Sequence, residues 1–221
     1  YRTFDPMAGG DPWGASWIKD AGYAPRNPYI RTLLGLDDMG SSALLVGTVT
    51  DGSTPCAAYR LESDTWSDLA APAGDGVNYL CFAENGSGVV LAGIKGNATY
   101  PTGVYKSDDD GASFSSTPLC GYTGLTTPFV DLSMRTPDLA VGATGAGISL
   151  VRVPAAACDG QNPYAPFSRF LGVSKAVLQL DANDALVGTV GNGLLRYTAT
   201  RAEALGSRRE PFSIQAGVND H

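Results

Sequence analysis

Histidine is almost absent from this sequence, and its one copy, His221, is the last residue. A catalytic triad that uses imidazole as general base is therefore excluded, and a zinc site is disfavoured because no Cys-x-x-Cys spacing occurs either. No window of eighteen apolar residues is present, so the sequence predicts no transmembrane helix. Nucleotide-binding glycine loops and Gly-x-Ser-x-Gly elbows are also missing, and we expect no metal and no organic cofactor.

Basic residues are few and scattered. Fifteen Lys and Arg stand against 22 Asp and Glu, which gives a net charge of -7. Arg208-Arg209 is the only adjacent basic pair. Because a nucleic-acid interface needs clustered cations, a nucleic-acid partner is excluded. The oligomeric state is left open.

Cysteine and asparagine patterns favour a secreted protein. An even number of cysteines without metal-ligand spacing predicts two disulfides in an oxidising compartment. Of the three possible connectivities we favour Cys56–Cys81 and Cys120–Cys158, with four free thiols as the alternative. Asn85-Gly86-Ser87 and Asn97-Ala98-Thr99 are candidate glycosylation sites. The sequence begins without a signal-peptide hydrophobic region, as expected of a mature or trimmed chain.

An internal repeat is the most informative feature that is present. Four short apolar segments each contain a glycine, at Gly47, Gly93, Gly142 and Gly188, with separations of 46, 49 and 46 residues. Each is followed by a basic residue, at Arg60, Lys106, Arg152 and Arg196, with separations of 46, 46 and 44. Two markers that recur in step indicate a repeated structural unit.

The sequence of each repeat predicts several short β-strands. The segments are rich in Val, Leu, Tyr and Thr, and turn-forming residues bound them. Innermost strands are predicted over 32–36, 78–83, 129–133 and 176–180, with turns at 37–40 and at the two-residue Asn85-Gly86. An all-β unit of this length is typical of a β-propeller blade, in which neighbouring sheets cover one another and glycines permit their close approach. We predict one β-propeller domain over residues 1–221.

Both ends of the chain resemble parts of a fifth blade. Residues 1–5 resemble the third strands, and 15–18 suit a fourth, outer strand. Residues 214–220 resemble 178–184, an innermost strand with its turn. Five blades closed by both termini are therefore predicted, which would remove an exposed sheet edge. The second strand of this blade is missing, so a fragment of a larger propeller remains the alternative.

One segment carries a family resemblance. Ser107, Asp109, Gly111, Ser113 and Phe114 fill the pattern S-x-D-x-G-x-[S/T]-[W/F]. This resembles the Asp-box of the propeller superfamily that contains sialidases, sortilin-type receptors and xyloglucan-degrading glycosidases. The resemblance covers 107–114 alone, and it implies a structural turn away from the binding face. In such a turn Asp109 accepts backbone N–H bonds, Gly111 takes a positive φ and Phe114 packs into the blade.

Two classes of function remain. The first is an extracellular binding or scaffold module for a glycan or a protein, for which the aromatic and polar cluster Asp11, Trp13, Trp17 and Tyr23 supplies the candidate ligand site. The second is a glycoside hydrolase-like enzyme that uses a pair of carboxylates at the channel mouth. Its candidate acids are Asp37, Asp38, Glu84, Asp131, Asp181 and Asp184. A third reading makes the chain one part of a longer propeller protein.

Overall fold

The structure, a computed structural model, describes residues 2–3, 17–18, 29–36, 42–49, 57–69, 77–119, 127–145, 147–153, 173–182, 184–198 and 202–205. Sixteen strands and no helix occur in these ranges. The strands are β1 (Arg2–Thr3), β2 (Trp17–Ile18), β3 (Ile30–Leu36), β4 (Ala43–Thr48), β5 (Ala58–Glu62), β6 (Thr65–Asp68), β7 (Asn78–Glu84), β8 (Val90–Lys95), β9 (Gly103–Ser107), β10 (Phe129–Thr136), β11 (Leu139–Thr144), β12 (Gly147–Arg152), β13 (Ser174–Asp181), β14 (Asp184–Thr189), β15 (Gly193–Thr198) and β16 (Ala202–Leu205).

The strands form successive antiparallel meanders, which we call blades 1 to 4. Blade 1 has the order β3-β4-β5-β6, blade 2 β7-β8-β9, blade 3 β10-β11-β12 and blade 4 β13-β14-β15-β16. The first strands of consecutive blades contact one another, at β3 with β7, β7 with β10 and β10 with β13. The chain is therefore a β-propeller with its innermost strands side by side, as the repeat predicts.

The blades bury their faces against each other. One apolar cluster joins blades 1 and 2 through residues such as Leu45 and Tyr105, and a second joins blades 2 and 3 through Phe129. A third joins blades 3 and 4 through Ile148 and Val187. Because a thin sheet cannot cover both of its own faces, this stacking supplies the core.

Glycine at the repeat position permits the close approach of neighbouring blades. A Cβ atom added to Gly47 would lie 2.7 Å from the Cβ of Tyr79, and one added to Gly93 would lie 3.1 Å from the Cβ of Phe129. Both neighbours belong to the next blade, so any side chain here would push two blades apart.

The strand register corrects two members of the sequence repeat. Ala143, not Gly142, is the equivalent of Gly47, Gly93 and Gly188, because it pairs with the first residue after the bulge of its innermost strand. Likewise Leu150 is the equivalent of Arg60, Lys106 and Arg196, whereas Arg152 lies two residues further along β12.

Several local predictions also change. The innermost strands are longer than predicted, by up to three residues. The predicted two-residue turn at Asn85-Gly86 is wrong: β7 ends at Glu84 and β8 begins at Val90, because Gly86 and Gly88 both take positive φ in a longer turn. Among the described residues, blades 2 and 3 have three strands instead of four.

Cys81 is a free, buried thiol, which contradicts the predicted Cys56–Cys81 disulfide. It points into the interface between blades 2 and 3, where its Sγ lies 3.7 Å from the carbonyl oxygen of Phe129. Burial there raises the pKa of the Cys81 thiol. Cys56, Cys120 and Cys158 lie outside the described residues, so the second disulfide and secretion stay predictions.

The predicted pairing of two N-terminal strands is confirmed, and their place in a fifth blade stays a prediction. β1 pairs antiparallel with β2, with Arg2 opposite Ile18 and Thr3 opposite Trp17. The predicted innermost strand over 214–220 and the turn over 37–40 lie outside the described residues. The number of blades therefore stays a prediction.

Candidate functional site

The meander order places the same parts of every blade at the same end. Each innermost strand begins at what we call the upper end, and the turn between its second and third strands lies there too. The turns between first and second strands, and the segment 107–114, lie at the lower end.

All four innermost strands have a β-bulge at the upper end. The register shifts between Ile30 and Thr32 in β3, and at the equivalent place in β7, β10 and β13. The bulged residues are Arg31, Leu80, Val130 and Lys175. Because a bulge redirects a side chain and interrupts strand pairing, its repetition marks this end as a surface shaped differently from an ordinary strand end.

Charge is distributed unequally between the two ends. Among the described residues, Arg31, Lys95 and Lys175 are exposed at the upper end, on three different blades. The described carboxylates at that end are Asp68 and the half-buried Asp131. Most of the described carboxylates lie at the lower end, namely Glu62, Asp64, Glu84, Asp108, Asp109, Asp110, Asp138, Asp181 and Asp184. The described part of the upper end is thus locally cationic in a chain of net charge -7.

Exposed apolar side chains accompany these cations. Tyr29 and Ile30 of blade 1 are 46% and 48% exposed, and Val190 of blade 4 is 59% exposed. Tyr29 and Val173 occupy equivalent places, since their carbonyl oxygens accept hydrogen bonds from Val49 and Val190. The upper end therefore combines apolar surface with positive charge.

A ladder of side chains joins the innermost strands of blades 3 and 4. Asp131 Oδ2 accepts the N–H of Val177 at 2.8 Å, and Ser133 Oγ accepts the N–H of Gln179 at 2.9 Å. In the reverse direction Gln179 Oε1 accepts the N–H of Arg135 at 2.8 Å. These bonds satisfy backbone donors that would otherwise face the propeller axis unpaired.

Asp131 is the described candidate acid whose pKa is raised. Burial raises the pKa of Asp131, while the N–H donors of Val177 and Leu132 and the guanidinium of Arg31 offset this only in part. Because both carboxylate oxygens already accept backbone hydrogen bonds, its role in the structure is to hold blade 4 to blade 3.

The other described candidate acids also have structural partners. Glu84 Oε2 accepts the N–H of Gly86 at 2.6 Å. Asp184 pairs with the guanidinium of Arg196, and this hydrogen bond lowers the pKa of Asp184. Both of these acids, and Asp181, lie at the lower end, whereas Asp131 lies near the upper end. Of the described candidates, only Asp181 and Asp184 are brought together, as cross-strand partners in blade 4, whereas Glu84 belongs to blade 2 and Asp131 to the other end. Asp37 and Asp38 lie outside the described residues.

The segment 107–114 forms a turn held by its own polar groups. Ser113 donates from both its N–H and its Oγ to Asp109, at 2.9 and 2.6 Å, and Ser107 Oγ accepts the N–H of Gly111 at 2.9 Å. Gly111 has φ 73, and Phe114 packs on Phe82 with ring centroids 6.1 Å apart. The turn anchors the lower end of blade 2.

We expect Asp109→Asn to reduce stability at neutral pH, and this cost to shrink as the pH falls below about 4. Partial burial raises the pKa of the Asp109 carboxyl, but hydrogen bonds from Ser113 and Ser107 outweigh it and lower the pKa overall. A lowered carboxyl pKa contributes stability above the unfolded value of about 3.9, and this is lost as the pH falls through the folded value. Urea unfolding from pH 3 to 7 measures it; a constant difference across this range would contradict the assignment.

The predicted aromatic site lies almost entirely outside the described residues. Asp11, Trp13 and Tyr23 lie outside the described residues, and only the backbone of Trp17, in β2, is described. Asn97 is exposed in the upper-end turn between β8 and β9, and its Oδ1 accepts the N–H groups of Thr99 and Tyr100 at 2.8 and 2.9 Å. Asn85 Oδ1 accepts the N–H of Ser87 at 2.9 Å at the lower end.

The described residues contain no cluster of three or more metal-ligating side chains. Within the same ranges, no helix is long and apolar enough to cross a membrane. The cationic upper end was not found from sequence, because its three cations are about 64 and 80 residues apart and only the topology brings them to one end.

Comparison with known proteins finds similar solved structures but assigns the chain to no family. No family model matches the chain, and no curated protein matches it. Among solved structures, YCF48 bound to D1 peptide has 15% identity and TM-score 0.47, with 79% of this chain and 51% of that one covered. The WD40 β-propeller domain of Doa1 has 10% identity and TM-score 0.46, with 83% and 56% covered. Regucalcin, a calcium-binding protein from Agrobacterium tumefaciens str. C58, has 14% identity and TM-score 0.41, with 81% and 55% covered. The chain spans about half the length of each of these proteins.

Proposed function

We propose that this propeller is a binding module that holds an extended acidic segment of another protein at its upper end. The observation that carries the proposal is the coincidence of exposed cations and exposed apolar side chains at one end of a chain with an acidic net charge. Charge complementarity acts locally, because the screening length is about 8 Å at physiological ionic strength. An acidic segment with apolar residues would satisfy both features of the surface.

A protein segment is favoured over a glycan by the described surface. Sugars are commonly held by stacking on Trp and Tyr, and the upper end offers one described aromatic residue with large exposure, Tyr29. Of the aromatic cluster that suggested a glycan, only the backbone of Trp17 is described. A glycan ligand and an extracellular location are therefore separate predictions, and a glycan is one outcome of the test.

Binding to an array of acidic decapeptides, beside a glycan array, tests the proposal. We expect Arg31→Glu combined with Lys175→Glu to weaken peptide binding at least about tenfold, which corresponds to about 1.4 kcal/mol, because attraction becomes repulsion at two positions. Affinity should also fall as salt is raised.

Arg135→Glu is the matched control, since Arg135 is an exposed cation at the lower end of the same set of innermost strands. It should leave peptide affinity unchanged. Equal loss in both variants would mean that net charge alone governs binding, and binding to glycans without any peptide binding would overturn the proposal.

A further inference from the structure

The outer face of blade 4, turned away from blade 3, is mostly apolar, with the Arg196–Asp184 ion pair as its charged part, and no described residue covers it. Val177, Ala185, Val187 and Leu195 pack toward blade 3, so the alternating residues Ala176, Leu178, Leu186 and Leu194 lie on the opposite face. Leu178 and Leu194 are 52% and 43% exposed. By contrast, the described parts of blades 2 and 3, which have a neighbour on each side, expose no large hydrophobic residue. A face of this kind requires a cover.

Gly188 leaves an open space on the outer face of blade 4, at the position where the other blades contact a neighbour. Its equivalents Gly47 and Gly93 are in close contact with the innermost strand of the next blade. A Cβ added to Gly188 would meet only Ala176 of its own blade, whose Cβ would be 3.5 Å away. The described residues thus give no steric reason for glycine here, whereas a further blade on this face would.

A repeated glutamine indicates which strand covers the face. Gln179 accepts the N–H of Arg135, the bulged residue near the lower end of β10. Leu180 is the corresponding bulged residue of β13. The sequence Ile214-Gln215-Ala216 repeats Leu178-Gln179-Leu180, so Gln215 occupies the place in its segment that Gln179 occupies in β13.

The connection is long enough to reach. β16 is the outermost strand of blade 4 and ends at Leu205. From Leu205 to Ile214 an extended chain spans about 30 Å at roughly 3.3 Å per residue. The width of a four-stranded sheet is only about 15 Å, at strand spacings of about 4.8 Å.

We propose that residues 214–220 form the innermost strand of a further blade that packs on the outer face of blade 4, with the side chain of Gln215 accepting the N–H of Leu180. These residues lie outside the described part of the chain. The assignment holds whether or not other chain segments complete that blade, because it concerns only its innermost strand.

The first test compares three glycine substitutions by thermal unfolding. Gly47→Val should lower Tm by roughly 5–10 °C, since inserting atoms between packed blades is destabilising. We expect Gly188→Val to lower it by a similar amount. Gly145→Val is the control in an exposed turn, where the nearest atom would be 3.6 Å away, and should shift Tm by less than about 2 °C. A Gly188→Val that behaves like Gly145→Val would overturn the proposal.

The second test identifies the covering segment by disulfide trapping. Ser133 Oγ lies 2.9 Å from the N atom of Gln179, and Leu178 and Gln215 are their equivalents one blade further. We expect Leu178→Cys with Gln215→Cys to form a disulfide within one chain, detected by non-reducing peptide mapping. Thr117→Cys with Gln215→Cys is the control, because Thr117 is exposed on blade 2, and it should not link.

Each other outcome counts against the proposal. A link between two chains in the first pair would mean that a second copy covers blade 4. A folded protein in which neither pair links would mean that 214–220 lies elsewhere. Because these readouts do not involve a ligand, they are independent of the proposed function at the upper end.

Discussion

Replacing Phe129 by alanine should lower the free energy of unfolding by about 4 kcal/mol, as truncation of a buried aromatic residue leaves a cavity in the core. Phe129 is 1% exposed and lies between blades 2 and 3. Its ring fills the space left by Gly142, whose added Cβ would lie 2.2 Å from it. Leu132 borders the same space, since its Cδ2 would lie 2.9 Å from that Cβ.

Urea unfolding measures this prediction, with Leu33→Ala as control. Leu33 is 59% exposed on an innermost strand of the same kind, and its truncation should cost less than about 0.5 kcal/mol. A loss below about 1 kcal/mol for Phe129→Ala would show that blades 2 and 3 do not pack as described.

The fold was predictable because two independent sequence features mark its repeat. In blades 1, 2 and 4 a glycine and a basic residue recur at equivalent register positions, and stacking of sheets explains Gly47 and Gly93. The sequence assigned Gly142 to the wrong register position in blade 3. Gly142 is required for a different reason, because the ring of Phe129 from its own blade occupies the space of a side chain there, whereas at Gly47 and Gly93 the next blade does so. A sequence does not distinguish these two causes.

The candidate site was less predictable because it depends on the hydrogen bonds and β-bulges at the ends of strands. Asp131 was identifiable as a candidate acid, but its hydrogen bond to Val177 joins residues 46 apart in sequence and required the coordinates. The bulges that expose Arg31 and Lys175 leave no composition signal. Membership of the Asp-box superfamily stays a prediction, because its sequence support is confined to one turn.

Cys81 shows why counting cysteines fails here. An even number predicts pairing only if each thiol can reach another, and Cys81 is enclosed between two sheets. A Cβ added to Gly93 would lie 2.5 Å from Sγ of Cys81, so the thiol fills the space opposite a glycine. Its packing role is that of a small apolar side chain.

Gly111→Ala is expected to cost about 3 kcal/mol, from two separable causes. Gly111 has φ 73, a left-handed conformation that costs an ordinary residue about 1–2 kcal/mol. An added Cβ would also lie 2.5 Å from Cδ1 of Leu45, a fully buried residue of blade 1, and such overpacking costs about 1–3 kcal/mol. Asp110→Gly is the control, because Asp110 has φ 53 and glycine relieves its strain.

A double-mutant cycle with Leu45→Ala separates the two causes. Removing the Leu45 methyl groups abolishes the steric overlap but leaves the backbone strain, so Gly111→Ala should be less costly by about 1–2 kcal/mol in the Leu45→Ala background. Strict additivity would mean that the turn does not contact blade 1. Since Gly111 belongs to blade 2, a measured coupling would establish that the lower-end turn packs against blade 1.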